Sequence, residues 1–161
     1  ITLVGYSGSP AVFLNDKNYG QQAYVFSEPF VARQAGSDPK VLMVSDLGYN
    51  PYSSLLIATQ ETIDSDKDLV ERMLRASKKG WLQYLKDSTK TNAHIHSLNE
   101  EMGLDILAFG AKTLENLCLP DGMPAEQLGS MTVKRWQELG DQLVEIELVD
   151  ETIDIGGAFL K

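Results

Sequence analysis

One cysteine and two histidines stand among 161 residues. A lone Cys118 excludes an internal disulfide and any metal cage built from several cysteines. No Ser-His-Asp, Cys-His or paired-carboxylate arrangement reads as catalytic in so thin an inventory, so no enzyme activity is expected. Basic residues are also scarce. The chain holds 14 Lys and Arg against 23 Asp and Glu, a net charge of −9. Such a surface repels phosphate backbones, which argues against nucleic acid as a partner. The deficit is uneven. Residues 1–48 set Lys17, Arg33 and Lys40 against Asp16, Glu28, Asp38 and Asp46, a net of −1, and the other −8 falls on 49–161. No apolar run approaches the ~20 residues that cross a bilayer. The first residue is Ile1 rather than Met. The chain is therefore expected to be processed, excerpted or truncated, with any targeting signal upstream.

What is present has the balance of a globular protein, 43% hydrophobic and 23% charged. Four apolar, β-branched runs read as strands: 1–6 (ITLVGY), 21–26 (QQAYVF), 40–45 (KVLMVS) and 54–59 (SLLIAT). Short helices fall between the first three. One opens at Ser9-Pro10 and runs through Leu14. The other opens at Ser27-Glu28-Pro29 and ends near Gly36. This βαβαβ rhythm predicts an α/β fold with parallel sheet pieces flanked by helices. The segment Asp46-Leu47-Gly48-Tyr49-Asn50-Pro51-Tyr52 breaks the rhythm and reads as a hinge.

Beyond residue 60 the pattern turns helical. Leu69, Val70, Met73, Leu74, Ser77, Trp81, Leu82 and Leu85 recur at steps of three and four. Acidic residues lead this stripe and basic residues end it, matching the helix dipole over 65–86. Further helices are expected over 103–118 and from Thr132 onward, with a loop at 120–130. Residues 1–48 then form a three-stranded piece, 49–53 a crossing, and 54–161 one strand with a helical shell. Such a sheet has bare edges, so the chain is expected to be part of something larger and to pair as a homodimer, by sheet extension or by exchanging elements.

Candidate site residues follow from strand ends and the hinge. Glu28 stands at the end of strand 21–26 among Tyr24, Phe26 and Phe30. A carboxylate there accepts hydrogen bonds from a nitrogenous ring while an aromatic side chain stacks on it. The bland alternative is a carboxylate at a helix N-terminus. Tyr49, Asn50 and Tyr52 lie on the hinge, with donors and flat surfaces for a small ligand; the alternative is a packed turn. Gly5-Tyr6-Ser7-Gly8-Ser9-Pro10 lacks the lysine of a phosphate loop and the third glycine of a dinucleotide fingerprint, and reads as a plain turn. His94-Ile95-His96 has no third ligand and reads as a solvated pair, with no metal expected. Cys118, Trp81 and Trp136 sit on helical stripes as core residues.

Together these residues resemble a family. Gln22-Ala23-Tyr24, then Ser27-Glu28-Pro29-Phe30-Val31-Ala32, Gly36, Lys40-Val41-Leu42 and Asp46-Leu47-Gly48-Tyr49-Asn50-Pro51-Tyr52 look like the substrate-binding proteins of ABC importers. The branch is the one named for thiamine-pyrimidine synthesis and for nitrate, sulfonate and taurine uptake. Lys79-Gly80-Trp81, Leu128-Gly129-Ser130-Met131-Thr132 and Arg135-Trp136 fit the same pattern. The resemblance implies a type II periplasmic-binding-protein fold, of which this chain would be the C-terminal portion, an incomplete two-lobe fold. It implies binding of a small molecule, such as a thiamine-type pyrimidine, without a cofactor of its own. It implies ABC permease membrane subunits as partners and a periplasmic or membrane-anchored extracytoplasmic location. Two alternatives share the implied fold. One is a pyrimidine-synthase-like enzyme, which needs a lysine-bound pyridoxal phosphate and a donor histidine. The other is the ligand-sensing domain of a transcription regulator, which an upstream helix-turn-helix would mark.

Overall fold

In the computed structural model, which describes residues 2–5, 9–151, 155–157 and 159, the regular elements are helices. They are α1 (Ala11–Asn15), α2 (Glu28–Gln34), α3 (Gln60–Ser65), α4 (Lys67–Lys86), α5 (Thr89–Leu98), α6 (Leu104–Cys118) and α7 (Val133–Glu145), with short 3-10 turns between them. No strand occurs among the described residues. This corrects the α/β reading, and with it the parallel sheet and the type II two-lobe fold.

The physical reason lies in what each expected strand does with its backbone. A run of β-branched residues becomes a strand only when a neighbour takes up its N–H and C=O groups. In 21–26 the chain turns instead: Ser27 N–H donates to Tyr24 O at 2.9 Å and Tyr24 N–H donates to the Glu28 carboxylate at 2.8 Å. In 40–45 the run ends as a 3-10 turn, Val44–Leu47, stopped by Gly48 at φ 89, a left-handed conformation that suits glycine. Residues 54–59 run without a ladder up to the Thr59 cap, and Ile57 is 85% exposed. Of the expected strand 1–6, Ile1 and Tyr6 lie outside the described residues; within 2–5, Leu3 is 93% exposed.

The long helical stripes did form helices. Thr59 Oγ1 accepts from Thr62 N–H at 3.2 Å to start α3. Asp66 then ends α3 and accepts from Leu69 N–H at 3.0 Å, starting α4 one residue later. Exposed pairs spaced four apart, Arg72 with Asp68 at 2.7 Å and Arg75 with Glu71 at 3.6 Å, line its polar face, each worth little in water. Helix α5 carries no strong apolar stripe; it opens where Asp87 Oδ1 accepts from Thr89 N–H at 3.0 Å.

That cap carries a pH dependence. Hydrogen bonds from the Thr89 side chain and then its backbone hold the Asp87 carboxyl below the usual carboxylate range. A lowered folded value contributes stability above the unfolded value of about 3.9 and loses it as pH falls through the lowered one. The Thr89 amide resonance is therefore expected to move in acid below about pH 4, and Asp87→Asn to remove the transition. A Thr89 amide that does not titrate in the wild-type protein contradicts this.

The chain divides into two compact units, each made from two stretches. One comprises Ile1–Val41 with Lys79–Ala125, the other Leu42–Lys78 with Glu126–Lys161. In the first unit α6 packs on α5 and α2. Its buried residues include Pro29, Ala32, Leu107, Gly110 and Ala111, beside a Phe30–Phe109 stack at 4.9 Å. Gly110 allows a close approach there: an added Cβ would stand 3.2 Å from the Phe26 carbonyl oxygen, a tight contact that would push the neighbouring backbone back by a few tenths of an ångström. Asn92 is buried and satisfied: Tyr84 Oη donates to its Oδ1 at 3.0 Å. In the second unit α7 packs on the turn Ile155–Gly157, and Val70, Gly140 and Ile155 are buried.

Candidate functional site

Among the described residues, a well-connected polar site belongs to the second unit, where α7 meets the segment 48–52. Thr132 Oγ1 accepts from Arg135 N–H at 3.3 Å and so fixes the first turn of α7. That turn aims the Arg135 guanidinium at the segment. Arg135 Nε donates to Asn50 O at 2.6 Å, and Nη2 donates to Asn50 Oδ1 at 2.8 Å and to Pro51 O at 3.1 Å. The same guanidinium lies 4.2 Å from the centre of the Tyr52 ring, a cation–π contact. Tyr52 Oη accepts from Thr132 N–H at 2.9 Å, and Gln142 Nε2 donates to Gly48 O at 3.0 Å.

An aromatic layer backs this joint. The Tyr52 and Trp136 rings lie 5.7 Å apart, Trp136 stacks with Phe159 at 6.2 Å, and Trp136 Nε1 donates to Met131 Sδ at 3.4 Å. Gly48, Asn50, Pro51, Arg135, Glu138 and Gln142 edge a shallow concavity with a cavity volume of about 20 Å³. Small-molecule sites usually enclose ~300–1,000 Å³, so this hollow is below ligand size.

The sequence-predicted residues fall into two groups, one per unit. In the second, Asn50 and Tyr52 are held by α7, while the Tyr49 side chain is exposed. In the first, Tyr24 and Phe26 stack at 5.3 Å, and the Glu28 carboxylate accepts the Tyr24 N–H. Glu28 thus opens α2 and closes the turn before it, while the Tyr24 ring stays exposed beside Phe26. The residue that sequence reasoning missed is Arg135. Its signal was present: Gly-Tyr-Asn-Pro-Tyr has acceptors and no periodicity of its own, so it needs a donor from elsewhere.

The two histidines sit on α5, where a spacing of two turns the rings apart. His96 Nδ1 donates to Met102 O at 2.8 Å. No group of three metal-binding side chains occurs among the described residues. Cys118 is half-buried and burial pushes its thiol up, which keeps it protonated. Trp136 is half-buried, whereas Trp81 is exposed, edge-on to Tyr84 at 5.9 Å. The phosphate-loop alternative at 5–10 lies partly outside the described residues, at Tyr6, Ser7 and Gly8. Among the described residues no helix is long and apolar enough to cross a membrane.

A family model described as NMT1/THI5 like matches residues 8–90, just over half the chain. The matched stretch includes both groups of candidate residues. No curated protein matches this chain. No solved structure matches it either.

Proposed function

The chain belongs to the NMT1/THI5-like family, and from that footing we propose that it is a solute-binding component of an ABC importer. The family match over 8–90 carries this reading. The ligand is a small molecule, and the chemistry at residues 24–28 favours a nitrogen heterocycle such as a thiamine-type pyrimidine. An exposed tyrosine stacked on Phe26, with a carboxylate four residues on, offers a flat surface and an acceptor to one ring. In the second unit Tyr49, with its exposed ring, and Asn50 and Tyr52 of the segment that carries it are a separate candidate group for a small ligand. The protein does no chemistry on its ligand. Its partners are the ligand and the membrane subunits of an ABC permease; the homodimer expected from bare sheet edges loses its ground, because no strand occurs among the described residues. It works outside the cytoplasmic membrane, in the periplasm or anchored to the membrane surface.

Titration calorimetry tests this, with a thiamine-type pyrimidine, a sulfonate and nitrate offered separately. Saturable heat from the pyrimidine is expected. Tyr24→Ala is expected to weaken binding about tenfold, the value of one lost aromatic contact, without lowering the melting temperature. Heat from the sulfonate alone overturns the heterocycle assignment. No saturable heat from any of the three overturns the solute-binding reading.

A further inference from the structure

The joint between α7 and the segment 48–52 engages acceptors and leaves donors free. Gly48 O accepts from Gln142, Asn50 O and Pro51 O accept from Arg135, and Tyr52 Oη accepts from Thr132 N–H. The Asn50 amide decides the polarity. Its oxygen and nitrogen ends are told apart by their partners, and a guanidinium has donors only. The end that Arg135 Nη2 holds at 2.8 Å is therefore Oδ1. The other end, Nδ2, carries two N–H groups and donates to nothing among the described residues. Tyr52 follows the same pattern: its oxygen is taken by Thr132 N–H, and its own O–H proton has no acceptor among the described residues.

Charge points the same way. Acidic side chains outnumber basic ones by 23 to 14, yet none pairs with Arg135. The ion pairs among the described residues are Lys67–Glu71, Arg72–Asp68, Arg75–Glu71 and Lys134–Glu138. Arg135 Nε and Nη2 go to neutral oxygens, and Nη1 has no acceptor among the described residues. A half-buried guanidinium held only by neutral groups keeps its positive charge for an anion.

Asn50 and Arg135 both edge the concavity of the second unit. Its volume of about 20 Å³ has room for one water-sized atom and not for a ring. One anionic oxygen fits it, accepting from Asn50 Nδ2 and Arg135 Nη1 while the rest of its molecule stays outside. The Glu138 carboxylate also edges the concavity and opposes an anion, but Lys134 Nζ stands 3.7 Å from it and offsets part of that charge.

We infer that Asn50 and Arg135 form an oxyanion subsite that takes a carboxylate or phosphate oxygen of a small ligand. Arg135 sets its polarity by fixing the Asn50 amide with the N–H groups free. This rests on the solute-binding reading above and names the chemistry of its second-unit group.

Amide NMR tests it, with acetate and inorganic phosphate titrated separately at constant ionic strength. Saturable shifts of the Asn50 side-chain NH2 pair are expected. Shifts with acetate alone assign a carboxylate, and shifts with phosphate alone assign a phosphate. Asn50→Asp separates binding from structure. Aspartate keeps Oδ1 for Arg135, so the melting temperature should hold or rise. The lost donors and added charge should weaken the anion about tenfold or more, read on the Tyr49 and Tyr52 amides. Glu138→Gln should tighten it about twofold, the effect of one exposed charge. No saturable shift from either anion overturns the subsite, as does Asn50→Asp binding at wild-type strength or Glu138→Gln weakening it. Saturable heat from the pyrimidine leaves the solute-binding reading standing in each of those cases. Anion shifts in a protein that gives no heat with the pyrimidine, the sulfonate or nitrate overturn that reading and leave the subsite standing.

Discussion

Leu107→Ala is expected to lower the stability of the first unit by about 3 kcal/mol, within the range for a buried leucine cut back to a methyl group. Leu107 lies on the buried face of α6, and the other buried apolar side chains around this face include Pro29, Ala32 and Ala111. Those neighbours are small or rigid, so they cannot grow into the space left behind. The Phe30–Phe109 stack is already at contact distance and is held by its own geometry. A domain's whole net stability is ~5–15 kcal/mol, so a loss of this size is a large fraction of it. Urea unfolding followed by circular dichroism should show a lower midpoint with an unchanged slope. A shift worth less than about 1 kcal/mol, the ordinary effect of a surface change, would show that α6 does not carry this core.

The same helix shows what the sequence can disclose. In α6 the stripe of Leu104, Leu107, Ala111, Leu114 and Cys118 spans four turns, and the observed helix, Leu104–Cys118, matches the expected 103–118 closely. Helix α7 starts one residue after Thr132, as its cap requires. Long periodic stripes are legible because a helix satisfies its own backbone; nothing distant has to agree. The short runs at 21–26, 40–45 and 54–59 were not legible for the opposite reason. A six-residue run with a few β-branched or aromatic side chains describes a possible strand, and only a neighbour makes it one. Here Tyr24 N–H went to Glu28 and Met43 O accepted from Asp46 N–H, both within a few residues. Helix α5 was missed because Thr89–Leu98 is mostly polar and buries Asn92 rather than an apolar stripe.

The candidate site divides along the same line. Glu28 at the start of α2 could be placed from Ser27-Glu28-Pro29 alone, because a helix start is local. Asn50 and Tyr52 could be picked as unusual, but not explained. Their partner stands 85 residues along the chain from Asn50, and no periodicity connects them.

Arg135→Ala is expected to cost the second unit about 2 kcal/mol. The side chain makes three donor contacts to Asn50 and Pro51 and one cation–π contact to Tyr52. Hydrogen bonds from a charged donor are worth roughly 1.5–3 kcal/mol when sheltered, and the cation–π contact ~0.5–1 kcal/mol where water reaches it. Asn50 is exposed, so water replaces part of what is lost and the total stays near the lower figures. Arg135→Lys separates shape from charge. An ammonium keeps the positive charge but has no planar fork, so it cannot hold Asn50 O and Asn50 Oδ1 together while lying flat on Tyr52. It should recover less than half of the loss. Unfolding followed by Trp136 fluorescence in a Trp81→Phe background reports on this joint, because Trp136 lies 5.7 Å from Tyr52. Lysine performing as well as arginine would mean that charge alone holds residues 48–52 to α7, and that the fork geometry contributes nothing.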